Sequence, residues 1–151
     1  MPLNIVLIEP EIPNNSGNIG RLSLAAGANL HLVKPFGFEL SDARVKRAGL
    51  DYWKHVNLFI YENVEEFFEK NKNVSLAFFS SHAKKSFWEM ELEPNSFLVF
   101  GKESKGLDKT ILEQYSKQQY AIPIHSEHVR SLNLANAVAV VVYEALRKLK
   151  I

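Results

Sequence analysis

The chain lacks several features that would each point to a particular class of protein. None of its 151 residues is cysteine, which excludes disulfide bonds, zinc–thiolate sites and cysteine nucleophiles. No apolar run approaches the roughly 20 residues that a membrane-spanning helix needs. Neither sign of charge dominates, because 18 basic residues are balanced by 17 acidic ones and the formal net charge is +1. The overall charge therefore neither requires nor excludes a nucleic-acid partner.

The first residues also lack the features of an export signal. The stretch Met1–Asn4 contains no basic residue, and Glu9 interrupts the apolar run that follows. The composition, 46% hydrophobic and 23% charged, is that of a folded chain with a sizeable core. We expect a single domain over residues 1–151 and a cytoplasmic protein.

Short apolar segments alternate with amphipathic ones along the chain. Strands are predicted at Leu3–Ile8, Leu30–Val33, Val56–Tyr61, Leu76–Phe79, Phe97–Phe100 and Tyr120–Ile124. Helices are predicted at Ser16–Ala26, Asp42–Leu50, Val64–Lys70, Lys109–Tyr115 and Leu132–Leu149. This alternation indicates an α/β fold with a mostly parallel sheet, in which ligands bind outside the carboxyl ends of the strands.

The first polar segment after a strand is Asn14–Arg21, which reads Asn-Asn-Ser-Gly-Asn-Ile-Gly-Arg. Asn15 or Ser16 can cap the following helix, but a cap does not require the other polar residues and glycines. Arg21 is predicted in the first helical turn, where the helix dipole disfavours a cation, so we expect it to bind an anion. The spacing matches neither a dinucleotide-binding fingerprint nor a phosphate-binding loop.

Two further polar segments follow predicted strands. Residues 98–107 read Leu-Val-Phe-Gly-Lys-Glu-Ser-Lys-Gly-Leu, with Asp108 as the expected cap of the next helix. Glu103 in this segment is a candidate acceptor for a substrate hydroxyl. Residues 121–137 contain three short polar side chains around the start of the last helix, one of which we expect to be its cap: Ser131, Asn133 and Asn136.

The last helix has an unusually wide apolar surface. Its main apolar stripe comprises Val138, Val141, Val142, Ala145 and Leu149. Tyr143 and Leu146 add apolar surface on a neighbouring side. This breadth favours packing against a partner subunit as well as against the home core.

A metal site and a serine hydrolase are poorly supported. His125 and His128 have the spacing of helical neighbours, but they lie in a predicted loop and no third ligand is near in sequence. No Gly-x-Ser-x-Gly turn exists for a nucleophilic serine. We therefore expect no metal.

Two clusters combine basic and aromatic residues: Arg44, Lys46 and Arg47 before Tyr52 and Trp53, and Lys84 and Lys85 before Phe87 and Trp88. A charged run is usually a solvated face. Basic residues interleaved with aromatic ones favour RNA, through phosphate contacts and base stacking.

Taken together, the polar segments resemble the motifs of the SPOUT class of RNA methyltransferases. The motifs are Asn15–Arg21, Leu98–Leu107, and Ile122–Ile124 with Arg130–Val138. Leu3–Pro13, Pro35–Gly37 and Arg47–Tyr52 are similar to the minimal branch that methylates the ribose 2′-hydroxyl of the tRNA wobble nucleotide, a cytidine or uridine. The resemblance implies a C-terminal deep trefoil knot, S-adenosylmethionine as cofactor, the tRNA anticodon stem-loop as substrate, and a homodimer.

The resemblance also implies roles for individual residues. The cofactor contacts would come from Phe79, Gly101, Ile122, Ser131 and Leu132, and the catalytic residues would be Arg21, Ser131 and Asn133. Candidates for RNA contacts are Asn18, Arg21, Glu103, Arg44, Arg47 and Arg130. Within the class, the arginine at the position of Arg21 is the proposed base, but a free guanidinium is essentially always protonated. We therefore expect Arg21 to orient the phosphate and the hydroxyl, with base catalysis as a hypothesis.

Three alternatives stay open at this stage. The same fold could act on another tRNA or ribosomal RNA nucleotide, or it could be a non-catalytic RNA-binding protein that keeps the pocket. A flavodoxin-like nucleotide-binding protein is the third. S-adenosylhomocysteine would bind under the first two alternatives and flavin under the third.

Overall fold

The computed structural model describes residues 2–39 and 50–151, which form a parallel sheet with helices on both faces. The strands are β1 (Asn4–Ile8), β2 (Asn29–Val33), β3 (Leu58–Tyr61), β4 (Leu76–Phe79), β5 (Phe97–Phe100) and β6 (Gln119–Tyr120). The helices are α1 (Pro13–Ala25), α2 (Val64–Lys70), α3 (Lys109–Gln114) and α4 (Leu134–Leu149), with 3-10 turns at Leu50–His55 and Phe87–Glu89. The predicted α/β class is confirmed.

The strand order in the sheet is β3-β2-β1-β5-β4-β6, and every pairing is parallel. β1 therefore lies beside β5, although some 90 residues separate them in sequence. Because parallel strands share one direction, the segments after β1, β5, β4 and β6 all leave the sheet at the same edge. This order brings the three polar segments of the sequence together.

Both faces of the sheet are covered, as the continuous apolar runs of the strands predict. Ile5 and Leu7 point into a core shared with the apolar stripe of α4, in which Val138 and Val142 are fully buried. Val6 points to the opposite face and packs in the cluster formed with α2 and α3. Each such side chain contributes about 1.5–3 kcal/mol on burial. No helix within the described ranges is long and apolar enough to cross a bilayer.

Helix α1 begins at Pro13 rather than at Ser16, so the predicted capping by Asn15 or Ser16 is wrong. Proline suits the first helical position because the missing N–H would have no helical partner there. Ser16 is fully buried, and its hydroxyl has no hydrogen-bond partner among the described residues. Arg21 lies eight residues after Pro13, well inside the helix, so the prediction that placed it in the first turn is also wrong.

Other boundaries shift by a few residues. β3 begins at Leu58 instead of Val56, and α3 ends at Gln114 instead of Tyr115. β6 ends at Tyr120 rather than Ile124, because its neighbour β4 stops at Phe79 and offers no further pairing. α4 begins after Asn133, which is its cap, as expected for one of the three polar side chains. The predicted helix Asp42–Leu50 lies outside the described residues except for its last position, and Arg44, Lys46 and Arg47 lie wholly outside them.

A buried polar network joins the first residue of β1, the middle of β2 and the last residue of β3. His31 is 3% exposed, with Nδ1 2.8 Å from the Tyr61 hydroxyl and Nε2 2.9 Å from Asn4 Oδ1. Asn4 Oδ1 also accepts from Asn29 Nδ2, and the Tyr61 hydroxyl accepts from Asn71 Nδ2. The neutral imidazole with its proton on Nε2 satisfies every one of these bonds. Burial lowers the pKa of His31 from 6.5 to about 4.

This burial makes stability depend on pH. Between pH 6.5 and about 4, His31 is protonated in the unfolded state but stays neutral in the folded state. The free energy of unfolding therefore falls as the pH falls. The loss reaches about 3 kcal/mol for His31 alone. Urea denaturation at pH 7 and pH 4 measures this loss.

The variant His31→Gln should lack this component of the pH dependence, whereas the exposed His82→Gln should keep it. Equal slopes of unfolding free energy against pH in wild type and His31→Gln would contradict the assignment.

Candidate active site

The carboxylate of Glu103 joins the segment after β5 to the start of α1. Its Oε1 accepts from the backbone N–H of Glu11 at 2.8 Å, and its Oε2 from the N–H of Ile12 at 2.9 Å. Oε2 also accepts from Asn15 Nδ2 at 3.2 Å. Ile12 occupies the cap position of α1 and offers no capping side chain, so Glu103 supplies the anion that a helix N-terminus favours.

Asn133 ties the third segment to the same point. Its Oδ1 accepts from the backbone N–H groups of Ala135 at 2.9 Å and Asn136 at 3.4 Å, which caps α4. Its Nδ2 donates to Asn15 Oδ1 at 3.2 Å. Asn15 is 5% exposed and therefore bridges Glu103 and Asn133 inside the fold. The three polar segments of the sequence thus meet in one hydrogen-bonded chain.

Two carboxylates add further links between the segments after β1 and β5. Glu11 Oε1 accepts from the backbone N–H of Ser104 at 2.8 Å, and this bond lowers the pKa of the Glu11 carboxyl. Lys102 Nζ lies 3.2 Å from Glu9 Oε1. The contacts are partly solvated, so they add little stability, but they fix the relative position of the two segments.

Gly101 is required because the chain folds back onto it. A Cβ at this position would lie 2.1 Å from the carbonyl carbon of Gly106 and 2.3 Å from the backbone nitrogen of Leu107. The turn is closed by a 2.8 Å bond from the Gly106 N–H to the Lys102 carbonyl, and Gly106 has a positive φ of 69°. These glycines allow the segment after β5 to form a tight loop over the strand end.

Arg21 is exposed on α1, about two turns beyond Asn15. Its guanidinium carbon lies 5.4 Å from the centre of the Tyr52 ring. The adjacent Trp53 packs so closely on Gly20 that a Cβ there would lie 2.3 Å from the indole. Among the described residues, no carboxylate is paired with Arg21, so the contact of this exposed guanidinium is with an aromatic face.

The candidate cofactor residues surround the carboxyl ends of β4, β5 and β6. Phe79 is 9% exposed, Ile122 is half-buried and Leu132 is 38% exposed. From Ile122 to Leu132, one backbone N–H has a partner among the described residues, that of His128, which donates to Ser126 Oγ. Apolar side chains beside unpaired backbone donors and acceptors suit a ligand with flat apolar faces and polar edges, such as a nucleoside.

The structure places the candidate RNA-binding residues unevenly. Asn18 and Arg130 are exposed, in keeping with contact to a partner, while Glu103 already accepts three hydrogen bonds from its own chain. The positions of Arg44 and Arg47 lie outside the described ranges. A role for each of these residues in RNA binding stays a prediction.

Glu9 and Glu11 are the members of the site that the sequence reasoning missed. Both lie just after β1, where an acidic residue is indistinguishable in sequence from an ordinary solvent-exposed loop residue. Their partners, Lys102 and Ser104, follow β5. The role of the two glutamates can therefore be recognised only once the pairing of β1 with β5 is known.

Comparison with known sequences identifies the family. The sequence pattern of the SpoU rRNA methylase family matches residues 2–143. The chain belongs to the SpoU rRNA methylase family. This finding confirms the expected kinship with RNA methyltransferases.

The chain is similar to individual relatives over nearly their full length. A protein of Listeria monocytogenes serotype 4b (strain F2365), provisionally named tRNA (cytidine(34)-2′-O)-methyltransferase, is 42% identical over 151 residues, which cover 98% of this chain and 89% of the relative. A solved structure concerned with 2-OH methylation of C/U34 on tRNA is 42% identical, with a TM-score of 0.93 over 98% of this chain and 96% of that one.

A more distant structure, an AdoMet-bound rRNA methyltransferase from Sinorhizobium meliloti, shares the fold with a TM-score of 0.86 at 24% identity. The superposition covers 98% of this chain and 57% of the Sinorhizobium chain.

The site predicts that the Glu103 carboxylate is important for stability. Glu103→Gln removes the charge and leaves one oxygen to accept from two backbone N–H groups, so we expect a loss of about 1–3 kcal/mol in the free energy of unfolding. Denaturant titration measures the change. The matched control is the exposed Glu113→Gln, whose carboxylate lies 3.9 Å from Lys109. Equal effects of the two substitutions would contradict a structural role for the Glu103 carboxylate.

Proposed function

We propose that this protein transfers a methyl group from S-adenosylmethionine to the ribose 2′-hydroxyl of the wobble nucleotide, cytidine or uridine 34, in the tRNA anticodon loop. The observation that carries the proposal is the full-length similarity, at 42% identity and a TM-score of 0.93, to a structure concerned with this reaction. The relative from Listeria supports the same substrate by its name. We propose a single domain that acts in the cytoplasm.

The cofactor proposal is supported by the fit of the candidate pocket. Gly101 allows the loop after β5 to lie flat on the strand end, and Phe79 and Ile122 offer apolar surface beside the free backbone groups after β6. These features suit the adenosine part of S-adenosylmethionine, with Ser131 and Leu132 closing the pocket. The cofactor supplies a methyl group already activated on a sulfonium.

The chain's own residues then have to present the ribose hydroxyl in line with that methyl group. Alignment of this kind supplies a large share of the rate in reactions of two bound groups. Asn133 uses both ends of its amide inside the protein, so its proposed role is to hold the loop that carries Ser131. Arg21, which is exposed and contacts the Tyr52 ring, is proposed to bind the phosphate next to the target ribose and orient its hydroxyl.

A C-terminal trefoil knot is part of the proposal. After β6 at the edge of the sheet, the chain passes to α4, which packs against α1 and the core beside β1. Residues 121–133 must therefore travel back past the ends of β4 and β5, where the loop 101–107 lies. This path supports the knot that the family resemblance implies, since folds without such kinship almost never contain one.

A homodimer is proposed because α4 keeps apolar side chains exposed after its core stripe is buried. Tyr143 is 51% exposed and Val140 is 40% exposed, and Ile12 at the start of the neighbouring α1 is 44% exposed. Apolar surface of this kind on one helical layer is typical of an interface between identical chains. A dimer would also give a small catalytic domain enough surface to bind a tRNA.

The decisive experiment is methyl transfer from labelled S-adenosylmethionine to unmethylated total tRNA, followed by nucleoside mass spectrometry. We expect a 2′-O-methylated pyrimidine at position 34. Arg21→Ala should abolish transfer while S-adenosylhomocysteine binds with nearly wild-type affinity, because Arg21 is assigned to the RNA. Lys72→Ala, which removes an exposed cation paired with Glu69 after α2, is the matched control and should stay active.

Methylation at another tRNA position or in ribosomal RNA would move the target and keep the chemistry. Binding of the cofactor product without any transfer would favour a non-catalytic RNA-binding protein. Loss of S-adenosylhomocysteine binding in Arg21→Ala would contradict the role given to this residue.

The dimer is tested separately by light scattering. We expect a mass of twice the chain in solution, and Tyr143→Asp should shift it toward the monomer because the charge must be buried in the interface. Ile151→Asp, at a residue that is 64% exposed, should leave the mass unchanged. An active monomer would contradict the proposed assembly.

A further inference from the structure

A tryptophan stands exposed on a rigid turn next to the candidate site. Trp88 is 58% exposed, although its neighbours Phe87 and Met90 are 4% and 2% exposed and anchor the turn in the core. Exposing so much of an indole forfeits hydrophobic stabilisation. The indole contacts the Phe87 ring, with 5.6 Å between the ring centroids, and the fold leaves most of its surface uncovered.

The turn that carries Trp88 is fixed by several hydrogen bonds. Ser86 Oγ accepts from the Trp88 N–H at 3.1 Å, and the Glu89 carboxylate accepts from the Ser86 N–H at 3.0 Å, which forms a capping box. The N–H of Phe87 donates to the carbonyl of Ala121 at 2.8 Å. The backbone that carries the indole is thus preorganised, so little backbone entropy is lost when a partner binds there.

Basic residues precede the indole. His82, Lys84 and Lys85 are exposed, and the Lys85 ammonium is itself positioned by the Lys117 carbonyl at 2.8 Å and by the Tyr120 ring. The acidic residues of this segment follow the indole. The first of them, Glu89, uses its carboxylate in the capping box. We call His82, Lys84, Lys85 and Trp88 the indole surface.

The segment that carries the indole surface adjoins the candidate active site. It starts three residues after Phe79, and Lys85 accepts at its carbonyl from the N–H of Ala121, the residue just before Ile122. A ligand that extends from the pocket at the strand ends across this edge of the sheet would meet the indole next. Cations beside an exposed flat ring suit a phosphate chain with unstacked bases better than a neutral apolar partner.

We propose that the indole surface binds the RNA substrate, with one unpaired base of the anticodon loop stacked on Trp88 and Lys84 near the backbone phosphates. This inference rests on the proposed function, because it takes tRNA as the substrate. It adds a contact that none of the sequence motifs of the family contains.

The test measures the affinity of the full-length protein for an anticodon stem-loop RNA with an unmethylated pyrimidine at position 34. Trp88→Ala should weaken the Kd roughly 5- to 150-fold, the range expected for loss of one base-stacking contact. Trp88→Phe should recover most of the affinity, because a phenyl ring also stacks. Lys84→Ala should lower the slope of log K against log salt by roughly 0.7–0.9.

Matched controls separate this contact from general effects. Ile151→Ala removes an exposed apolar side chain and Lys72→Ala removes an exposed lysine paired with Glu69, so both should bind RNA like the wild type. Trp88→Ala should also keep the wild-type affinity for S-adenosylhomocysteine. RNA should quench the tryptophan fluorescence of the wild type, and the part of the quench due to Trp88 should vanish in Trp88→Phe.

The outcomes distinguish this proposal from the proposed function. If the wild type methylates position 34 but Trp88→Ala keeps the wild-type Kd and quench, the indole surface is not an RNA contact and the function stands. If the wild type methylates no RNA, the proposed function fails, and the Trp88 quench still decides the surface. A lower oligomeric mass in Trp88→Ala with unchanged RNA affinity would make this surface a protein interface and overturn the inference.

Discussion

The parallel pairing of β1 with β5 is the constraint on which the rest of the structure depends. It places the end of β1 beside the end of β5, so the carboxylate of Glu103 reaches the backbone N–H groups of Glu11 and Ile12. Helix α1 has no capping side chain of its own, and the two backbone N–H groups just before it donate to a residue about 90 positions away. Glu103 therefore fixes the loop after β5 against the start of α1.

The candidate site is held together by hydrogen bonds between three segments rather than formed by one motif. Asn15 bonds Glu103 on one side and Asn133 on the other, so a displacement of any one segment would be felt by the other two. Gly101 leaves no space between the strand end and the loop above it. Such mutual fixing suits a reaction that depends on the alignment of two bound groups more than on a reactive side chain.

The neutral and the charged polar groups of the fold occupy different surroundings. The neutral network around His31 is buried between Asn4 at the amino end of β1 and Tyr61 at the carboxyl end of β3, where burial disfavours protonation of the imidazole. The segments after β1 and β5 carry carboxylates and an ammonium group that stay partly solvated. The buried network contributes to stability, and the solvated groups lie at the edge of the sheet where parallel α/β folds bind ligands.

The sequence by itself determined the α/β class, most element positions and the segments that form the site, because buried parallel strands read as continuous apolar runs and the polar segments stand out at their ends. It placed Val64–Lys70 and β5 correctly, since their periodicity and length are local properties. It misplaced the start of α1, because Asn15 and Ser16 look like helix caps, although Pro13 suits the first helical position. Only the tertiary structure decided that Asn15, Glu103 and Asn133 meet, since strand order is set by long-range pairing. It likewise decided that Trp88 faces outward, because burial depends on what the rest of the chain covers.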